Sequence, residues 1–257
     1  MTTETSGSGD IARTLELLWG TAERPSRGPK PGLTLDAIVS TAVDVADSDG
    51  IGAVSMRRIA AELGTGTMSL YRYVPGKAEL LDLMLDRVSA PAPWEPPPAG
   101  EVPDWRAAVE RLARGYRDLY QKHPWLLRVN QARSVLGPSA LRGLEAALTG
   151  LQGLQLRDAE KISVIISVQS LVTGVVRMEA DAKDAAEQTG LGHHEFWTAQ
   201  RPFLERAMTS GDYPMMANMD DDTFSEEFDH FEFGLTMLLG GLEAMVQRRA
   251  EESSSPA

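Results

Sequence analysis

The amino-acid sequence predicts an all-α protein built from a small N-terminal unit and a larger C-terminal unit. Apolar residues recur at helical spacing through most of the 257 residues, and neither an alternating strand pattern nor an internal repeat is visible. One proline-rich segment, at 89–103, interrupts this pattern. Hydrophobic residues make up 42% of the chain, which is enough for a sizeable core. We therefore expect two helical domains joined by an irregular connection.

The N-terminal unit is expected to span residues 33–88. Residues 1–32 hold a short apolar patch and then the Pro- and Gly-rich stretch TAERPSRGPKPG, so a flexible arm is expected there. Thr34 and Ser55 each stand before an apolar-periodic segment and are candidate N-caps. Helices are expected over 35–49, 56–63, 67–74 and 77–88.

The C-terminal unit is expected to span residues 104–249. Its first helix begins near Trp105, and the segment ISVIISVQSLVTGVV is apolar nearly all round, so it should be buried on more than one side. Further helices are expected from Pro138, over 195–208 and over 224–249. The last seven residues, EESSSPA, follow a chain position where helical periodicity stops, and we expect 250–257 to be a disordered tail.

The stretch GTGTMSLYRYVPGK, at 64–77, has many hydrogen-bonding groups and little to bury. Only Leu70 and Val74 are strong core anchors if the segment is helical. Two short helices joined by a glycine turn, the second polar on its outer face, form a helix-turn-helix pattern, whose second helix enters the major groove of DNA. Its hydroxyls can bond base edges, and a methionine can contact a thymine methyl.

The charge distribution is compatible with this reading although the net charge is −12. Between residues 24 and 77 seven basic residues face five acidic ones, so this segment carries +2 and the rest of the chain −14. Acidic residues that lie away from the DNA-binding surface do not prevent DNA binding. The basic stretch RPSRGPK in the arm is a further candidate, for the minor groove.

The segment from Leu33 to Val88 resembles the DNA-binding domain of TetR-family transcriptional repressors, in the tetracycline-repressor-like branch. The elements AVDVADSDG, SMRRIAAELG, LYRYV and GKAELL occur in order and at the family's spacing. The resemblance implies an all-α homodimer that binds a double-stranded DNA operator and a small-molecule inducer of unknown identity. It places the DNA contacts on Arg57, Thr67, Met68, Ser69, Tyr71, Tyr73 and Lys77.

We expect the inducer to bind among the helices of the C-terminal unit, where aromatic bulk and a few polar groups interrupt apolar segments. The candidate lining residues are Tyr116, Trp125, Arg128, Gln131, Gln169, Thr173 and Trp197. Inducer binding would shift the helix over 77–88 and change the distance between the two readers of the dimer. Half-sites of a pseudo-palindromic operator, roughly 34–36 Å apart, tolerate little misfit.

Excess apolar surface predicts how the dimer forms. Segments Ile162–Met178 and Phe224–Val246, one pair from each subunit, are expected to build a four-helix bundle. In this scheme Leu238 belongs to the seam, and Gly240 and Gly241 permit a close helix crossing.

Several classes are disfavoured by composition. The chain has no cysteine, which fits a reducing cytoplasm and removes disulfides and thiolate chemistry. No signal peptide and no membrane span are expected, and the adjacent pair His193 and His194 lacks the spacing of a helical metal site, so neither metal nor cofactor is expected. Two alternatives remain: a ligand-independent or activating DNA binder on the same fold, and a helical small-molecule enzyme, for which no acid–base or nucleophile arrangement is visible.

Overall fold

The computed structural model describes residues 4–20, 33–91, 98, 100–220, 223 and 228–254, and its architecture is all-α as predicted. The helices are α1 (Ile11–Leu18), α2 (Leu35–Asp49), α3 (Met56–Glu62), α4 (Thr67–Leu70), α5 (Lys77–Val88), α6 (Trp105–Lys122), α7 (Pro138–Gly150), α8 (Asp158–Thr189), α9 (His193–Thr209), α10 (Pro214–Ala217) and α11 (His230–Ser254). Two-residue strands β1 (Glu4–Thr5) and β2 (Val129–Asn130) pair in parallel, and 3₁₀ turns lie at Ile51–Ala53 and Pro124–Arg128.

The N-terminal domain packs α2 to α5 around one core. Thr34 Oγ1 accepts the Ala37 N–H at 3.0 Å, and Ser55 Oγ accepts the Arg58 N–H at 3.2 Å, so both candidate caps act as caps. The expected helix over 67–74 is wrong in length, because α4 ends at Leu70 and the chain continues as a turn. Pro75 follows and prevents a longer helix, since the residue before proline is pushed out of helical geometry.

The flexible arm expected over 1–32 is not what the structure shows for residues 4–18. These residues, which we call the N-terminal clasp, run from β1 into α1 and cover α5. α1 is amphipathic, with Asp10 as its N-cap and with Thr14 and Leu17 buried. An eight-residue helix is marginal alone, so the packing of its apolar face stabilises it. Residues 21–32, including the basic stretch, lie outside the described residues.

The clasp supplies the hydrogen-bond donors for two buried carboxylates on α5. The Asp82 carboxylate accepts the Ser6 hydroxyl at 2.7 Å and the Gly7 N–H at 3.0 Å, and Glu79 Oε1 accepts the Asp10 N–H at 2.9 Å. Burial raises the pKa of the Asp82 carboxyl above its usual value, because desolvation outweighs the hydrogen bonds that favour the charged form. Without the clasp these groups would lose their protein donors.

A third acidic residue of α5 caps a helix of the C-terminal domain. The Asp86 carboxylate accepts the Ser139 N–H at 3.1 Å and the Ala140 N–H at 3.0 Å, both in the first turn of α7. A carboxylate at this place satisfies backbone donors and interacts favourably with the helix dipole. α5 is therefore tied to the clasp on one side and to α7 on another.

A polar cluster joins α2 to the chain that follows α6. Asp47 Oδ1 lies 2.7 Å from His123 Nδ1 and accepts the Trp125 indole N–H, also at 2.7 Å. Both aromatic side chains are buried. Since Asp47 lies in the last turn of α2 and Trp125 belongs to the 3₁₀ turn, the cluster connects the N-terminal domain to the C-terminal part of the chain.

The C-terminal domain is a bundle in which α8 packs on α6 and α11. Val168 and Val172 of α8 and Phe231 and Leu235 of α11 are buried in the same core cluster. Although the sequence predicts no membrane span, α8 is by length and composition apolar enough to cross one, with a mean hydropathy of 1.4 in its most apolar window. In this structure α8 packs against α6 and α11 on one side and leaves Ile166 and Met178 exposed.

The hairpin formed by α9 and α10 stands apart from this bundle. α9 contains no buried residue, and its main packing is against α10. Large apolar side chains on the hairpin are exposed, among them Phe196, Phe203 and Met215. The hairpin therefore presents apolar surface that one subunit alone does not cover.

Candidate DNA interface and ligand site

The second helix of the helix-turn-helix offers a mixed polar and apolar surface. Met68 is 76% exposed and Tyr71 45% exposed, while Thr67 and Ser69 are half-buried. Leu70 has no exposed surface and anchors α4 from behind. The structure thus brings these predicted contact residues together on one short element, with the methionine standing furthest into solvent.

Two arginines of α3 differ in how far they are engaged within the protein. Arg58 pairs with Glu62 at 2.8 Å and with Asp49 at 3.0 Å, and both contacts raise the pKa of its guanidinium. Arg57 is exposed and makes no ion pair among the described residues. It is therefore the arginine of this pair that can give its charge to a phosphate.

Arg72 is a candidate that the sequence argument missed. Its side chain is exposed next to Tyr71, and in the described part of the chain it makes no ion pair. Arg72 lies within the LYRYV element, one residue after the expected contact Tyr71. Its charge and this position are the features of the sequence that could have indicated a DNA contact. Tyr73, by contrast, is half-buried and packs against the core, with less surface for DNA than Tyr71.

Lys77 begins α5 directly after the turn. Gly76 precedes it as an N-cap without a side-chain hydrogen bond, which leaves first-turn N–H groups for an acceptor. The Lys77 ammonium lies 2.7 Å from the Glu4 carboxylate, and both side chains are about one-third exposed. The lysine thus has an internal partner that the sequence did not predict.

In the C-terminal domain three of the predicted lining residues lie near one another, between α6 and α8. Tyr116 stacks on Tyr120 with ring centroids 6.3 Å apart, and Gln169 donates its amide N–H to the Tyr120 hydroxyl at 3.2 Å. Thr173 follows Gln169 by four residues, so it shares the same face of α8. Burial, with Tyr120 nearby, raises the pKa of Tyr116 to about 12, so its phenol stays neutral and can donate.

One buried polar atom of α6 has no hydrogen-bond partner among the described residues. The Nε–H of Arg117 is buried and has no hydrogen-bond acceptor, while its guanidinium sits over the Phe231 ring at 4.6 Å. An unsatisfied buried donor is costly in a folded protein, and a ligand acceptor would remove that cost. Arg117 and Tyr120 were not predicted; on sequence alone they are a surface-type charge and a core aromatic.

The other four predicted lining residues do not join the group of Tyr116, Gln169 and Thr173. Trp125 is buried with its N–H given to Asp47, and Arg128 is exposed and pairs with Asp181 and Asp184. Gln131 is half-buried and donates to a backbone carbonyl of the 3₁₀ turn. Trp197 belongs to the α9–α10 hairpin, where it contacts His193 and Phe196. Periodicity cannot tell a pocket aromatic from one in the core, so the sequence could not separate these four residues from the other three.

Within the described ranges no three His, Cys, Asp or Glu side chains converge as metal ligands would. His123 is buried against Asp47, and His193 lies next to Trp197 on the hairpin. The histidines thus take part in aromatic and interhelical packing. The two groups of candidate residues thus lie on separate parts of the structure, one on α3 to α5 and one between α6 and α8.

Two family models together match most of the chain. Residues 38–84 match bacterial regulatory proteins of the tetR family, and residues 97–246 match the tetracyclin repressor-like C-terminal domain. The boundary between these matches falls in the proline-rich segment, and the helix-turn-helix lies inside the first match.

Individual relatives agree with the family models. The transcriptional repressor DrrR1 of Streptomyces coeruleorubidus is 57% identical over 98% of this chain and 93% of its own length. ActR of Streptomyces coelicolor in complex with actinorhodin is 29% identical, covers 84% of this chain and 98% of its own, and superposes with a TM-score of 0.67; its apo form gives 0.65. With the geometry above, these matches show that the chain belongs to the tetR family of DNA-binding transcriptional regulators, not to an enzyme family.

Proposed function

We propose that the protein is a homodimeric cytoplasmic repressor that leaves a pseudo-palindromic operator when an aromatic small molecule binds between α6 and α8. The observation that carries the proposal is the pairing of an exposed recognition helix with a partly buried polar group, formed by Tyr116, Tyr120 and Gln169, between α6 and α8. DrrR1 is named a repressor, and ActR has been solved with actinorhodin. A mobility-shift assay with the DNA upstream of its own gene, with and without actinorhodin as the first probe, tests it.

The DNA contacts divide into base reading and phosphate binding. Thr67, Met68 and Ser69 stand at the start of α4, and the N-terminal residues of a recognition helix are those that reach base edges. We assign Tyr71, Tyr73, Arg57 and Lys77 to phosphate contacts, because they carry hydroxyl or cationic groups and lie around the recognition helix. The exposure of Met68 fits contact with a thymine methyl.

Binding-site selection separates these two roles. Met68→Ala is expected to change the preferred base pairs and leave the slope of log K against log salt unchanged, because no charge is lost. Met215→Ala, at an exposed methionine of α10, is the matched control and should return the wild-type motif. If Met68→Ala also returns that motif, Met68 does not read bases.

The ligand site is assigned to Tyr116, Gln169 and Thr173, with Tyr120 and Arg117 added. Side chains of these types offer ring surfaces to stack on, together with hydroxyl, amide and guanidinium groups for carbonyl or phenol oxygens. The family domains fit a division at 33–88 and 104–249. Since the Asp86 carboxylate of α5 caps the N-terminus of α7, movement in the helical bundle can be transmitted to α5, which follows the recognition helix α4 in the chain.

One pair of glutamine variants tests this location. Gln169→Leu should weaken the binding of actinorhodin by about tenfold, since a hydrogen bond of about 1.4 kcal/mol is lost. Binding is measured by the quenching of tryptophan fluorescence. Gln131→Leu makes the same substitution at the other half-buried glutamine of the original set and should bind as wild type. If Gln131→Leu weakens binding and Gln169→Leu does not, the ligand binds near the 3₁₀ turn and not between α6 and α8.

The dimer is proposed to form through the outer faces of α8 and α11. Ile166 and Met237 are exposed there, and so are Gly174, Gly240 and Gly241, where an added Cβ would meet nothing within 4 Å. Small residues on an open face allow a close crossing of helices from a second copy. The apolar residues Phe231, Leu235 and Leu242 of α11 do not belong to this face, because they are buried in the subunit's own core.

This difference changes the variant that tests the interface. Met237→Glu, at a side chain that is 64% exposed in one subunit, should give monomers and abolish operator binding while the subunit stays folded. Leu238→Glu, at a half-buried position, should instead lower the stability of the subunit itself. Sedimentation that finds the Met237→Glu protein dimeric at micromolar concentration contradicts the proposed face.

A further inference from the structure

The lysine proposed for phosphate binding already has an anionic partner in the free protein. Glu4 Oε1 lies 2.7 Å from Lys77 Nζ, and 73 residues separate the two in sequence. Glu4 cannot drift freely, because it belongs to β1 and pairs with Val129 of β2. The C-terminal domain thus helps to place a carboxylate on a residue of the DNA-binding domain.

A DNA phosphate at Lys77 would meet this carboxylate. An ammonium group has three donors, so it can in principle serve two acceptors, but that arrangement puts two like charges a few ångströms apart. Like charges at such separation repel even in partly solvated surroundings. The Lys77–Glu4 pair is about one-third exposed, so water screens the repulsion only in part.

We propose that Glu4 sets the affinity for DNA by competing with an operator phosphate for Lys77. This inference rests on the proposed role of Lys77 as a phosphate contact. In the free protein the carboxylate takes the place of the phosphate. On binding DNA the lysine exchanges one anion for the other, and the exchange reduces both the net gain in affinity and the net release of counterions.

Glu4→Gln tests the competition directly. The substitution keeps the length of the side chain and removes its charge, so the clasp can still form. Binding to a duplex recovered by binding-site selection should become about two- to fivefold tighter, and the salt slope should steepen by up to about one unit, since each neutralised phosphate adds about 0.9. Glu16→Gln removes one negative charge from the same clasp, at a residue paired with Arg13, and is the matched control.

Lys77→Ala completes a double-mutant cycle. We expect Lys77→Ala to weaken binding, and Glu4→Gln to have no more effect than Glu16→Gln in the Lys77→Ala background. If Lys77→Ala weakens binding but Glu4→Gln equals Glu16→Gln in the wild-type background, the competition is overturned while the phosphate contact stands. If Lys77→Ala leaves affinity and salt slope unchanged, the contact itself is overturned, and the competition with it.

Discussion

Removing one hydrogen-bond donor at the Asp47 cluster should measurably loosen the connection between the two halves of the chain. Trp125→Phe deletes the indole N–H that lies 2.7 Å from Asp47 Oδ1 and keeps most of the buried ring. A hydrogen bond to a charged acceptor contributes about 1.5–3 kcal/mol. Because Asp47 is 29% exposed and keeps its contact with His123, we expect a loss near or slightly below the lower end of this range, about 1–2 kcal/mol.

For a chain of this size that loss corresponds to a fall in Tm of about 2–8 °C. The assay is thermal unfolding followed by circular dichroism at one fixed protein concentration, because dimerisation makes Tm concentration-dependent. Trp105→Phe is the control. Trp105 is half-buried against the core, and in the described structure its indole has no hydrogen-bond partner. Equal shifts for the two variants would refute the view that the Asp47 bond stabilises the protein.

Three further changes test other parts of the structure. Tyr71→Phe should weaken operator binding in a mobility-shift titration with little change in Tm or salt slope, because an exposed, uncharged hydroxyl is lost; a large drop in Tm would contradict the outward assignment. Gly150→Ala should lower the free energy of unfolding, measured in urea, by about 1–3 kcal/mol, since its new methyl would lie 2.5 Å from a side chain of α6. The control Gly115→Ala lies in open space and should raise that free energy by about 1 kcal/mol. Equal effects would refute the close approach at Gly150. Contacts with Arg249 hold the pKa of Glu160 below its usual value, so its contribution to stability is full above about pH 4.5 and is lost as pH falls below that value; Glu160→Gln should remove that part of the pH dependence of Tm, and an unchanged profile would count against it.

The sequence predicted the N-terminal domain well because its signals are local. Thr34 and Ser55 cap helices whose hydrogen bonds reach only three residues along the chain, and α5 has the expected bounds of 77–88. The same locality explains the error in α4. Leu70 and Val74 have helical spacing, but a turn that closes on Leu70 also buries both side chains.

Long-range contacts were the part that the sequence could not supply. The clasp depends on Ser6 finding Asp82, 76 residues away, and a single sequence without alignment has no pattern that records such a pair. Trp125 looked like a pocket residue because indole suits both a ligand site and a core, and only the position of Asp47 decides between them. The apolar residues of α11 have the spacing of a packed helix face, but whether that face meets its own subunit or a second copy depends on the placement of α8.

The three acidic residues of α5 give that helix a limited set of stable positions. Each carboxylate is held by N–H or O–H donors from another segment, and such bonds weaken steeply once their length and angle depart from the ideal. A small rotation of α5 must therefore break several of them together, while the next stable arrangement requires a new set of partners. A helix restrained in this way moves in a discrete step and resists gradual displacement, so a signal that crosses it should be all-or-none within each subunit.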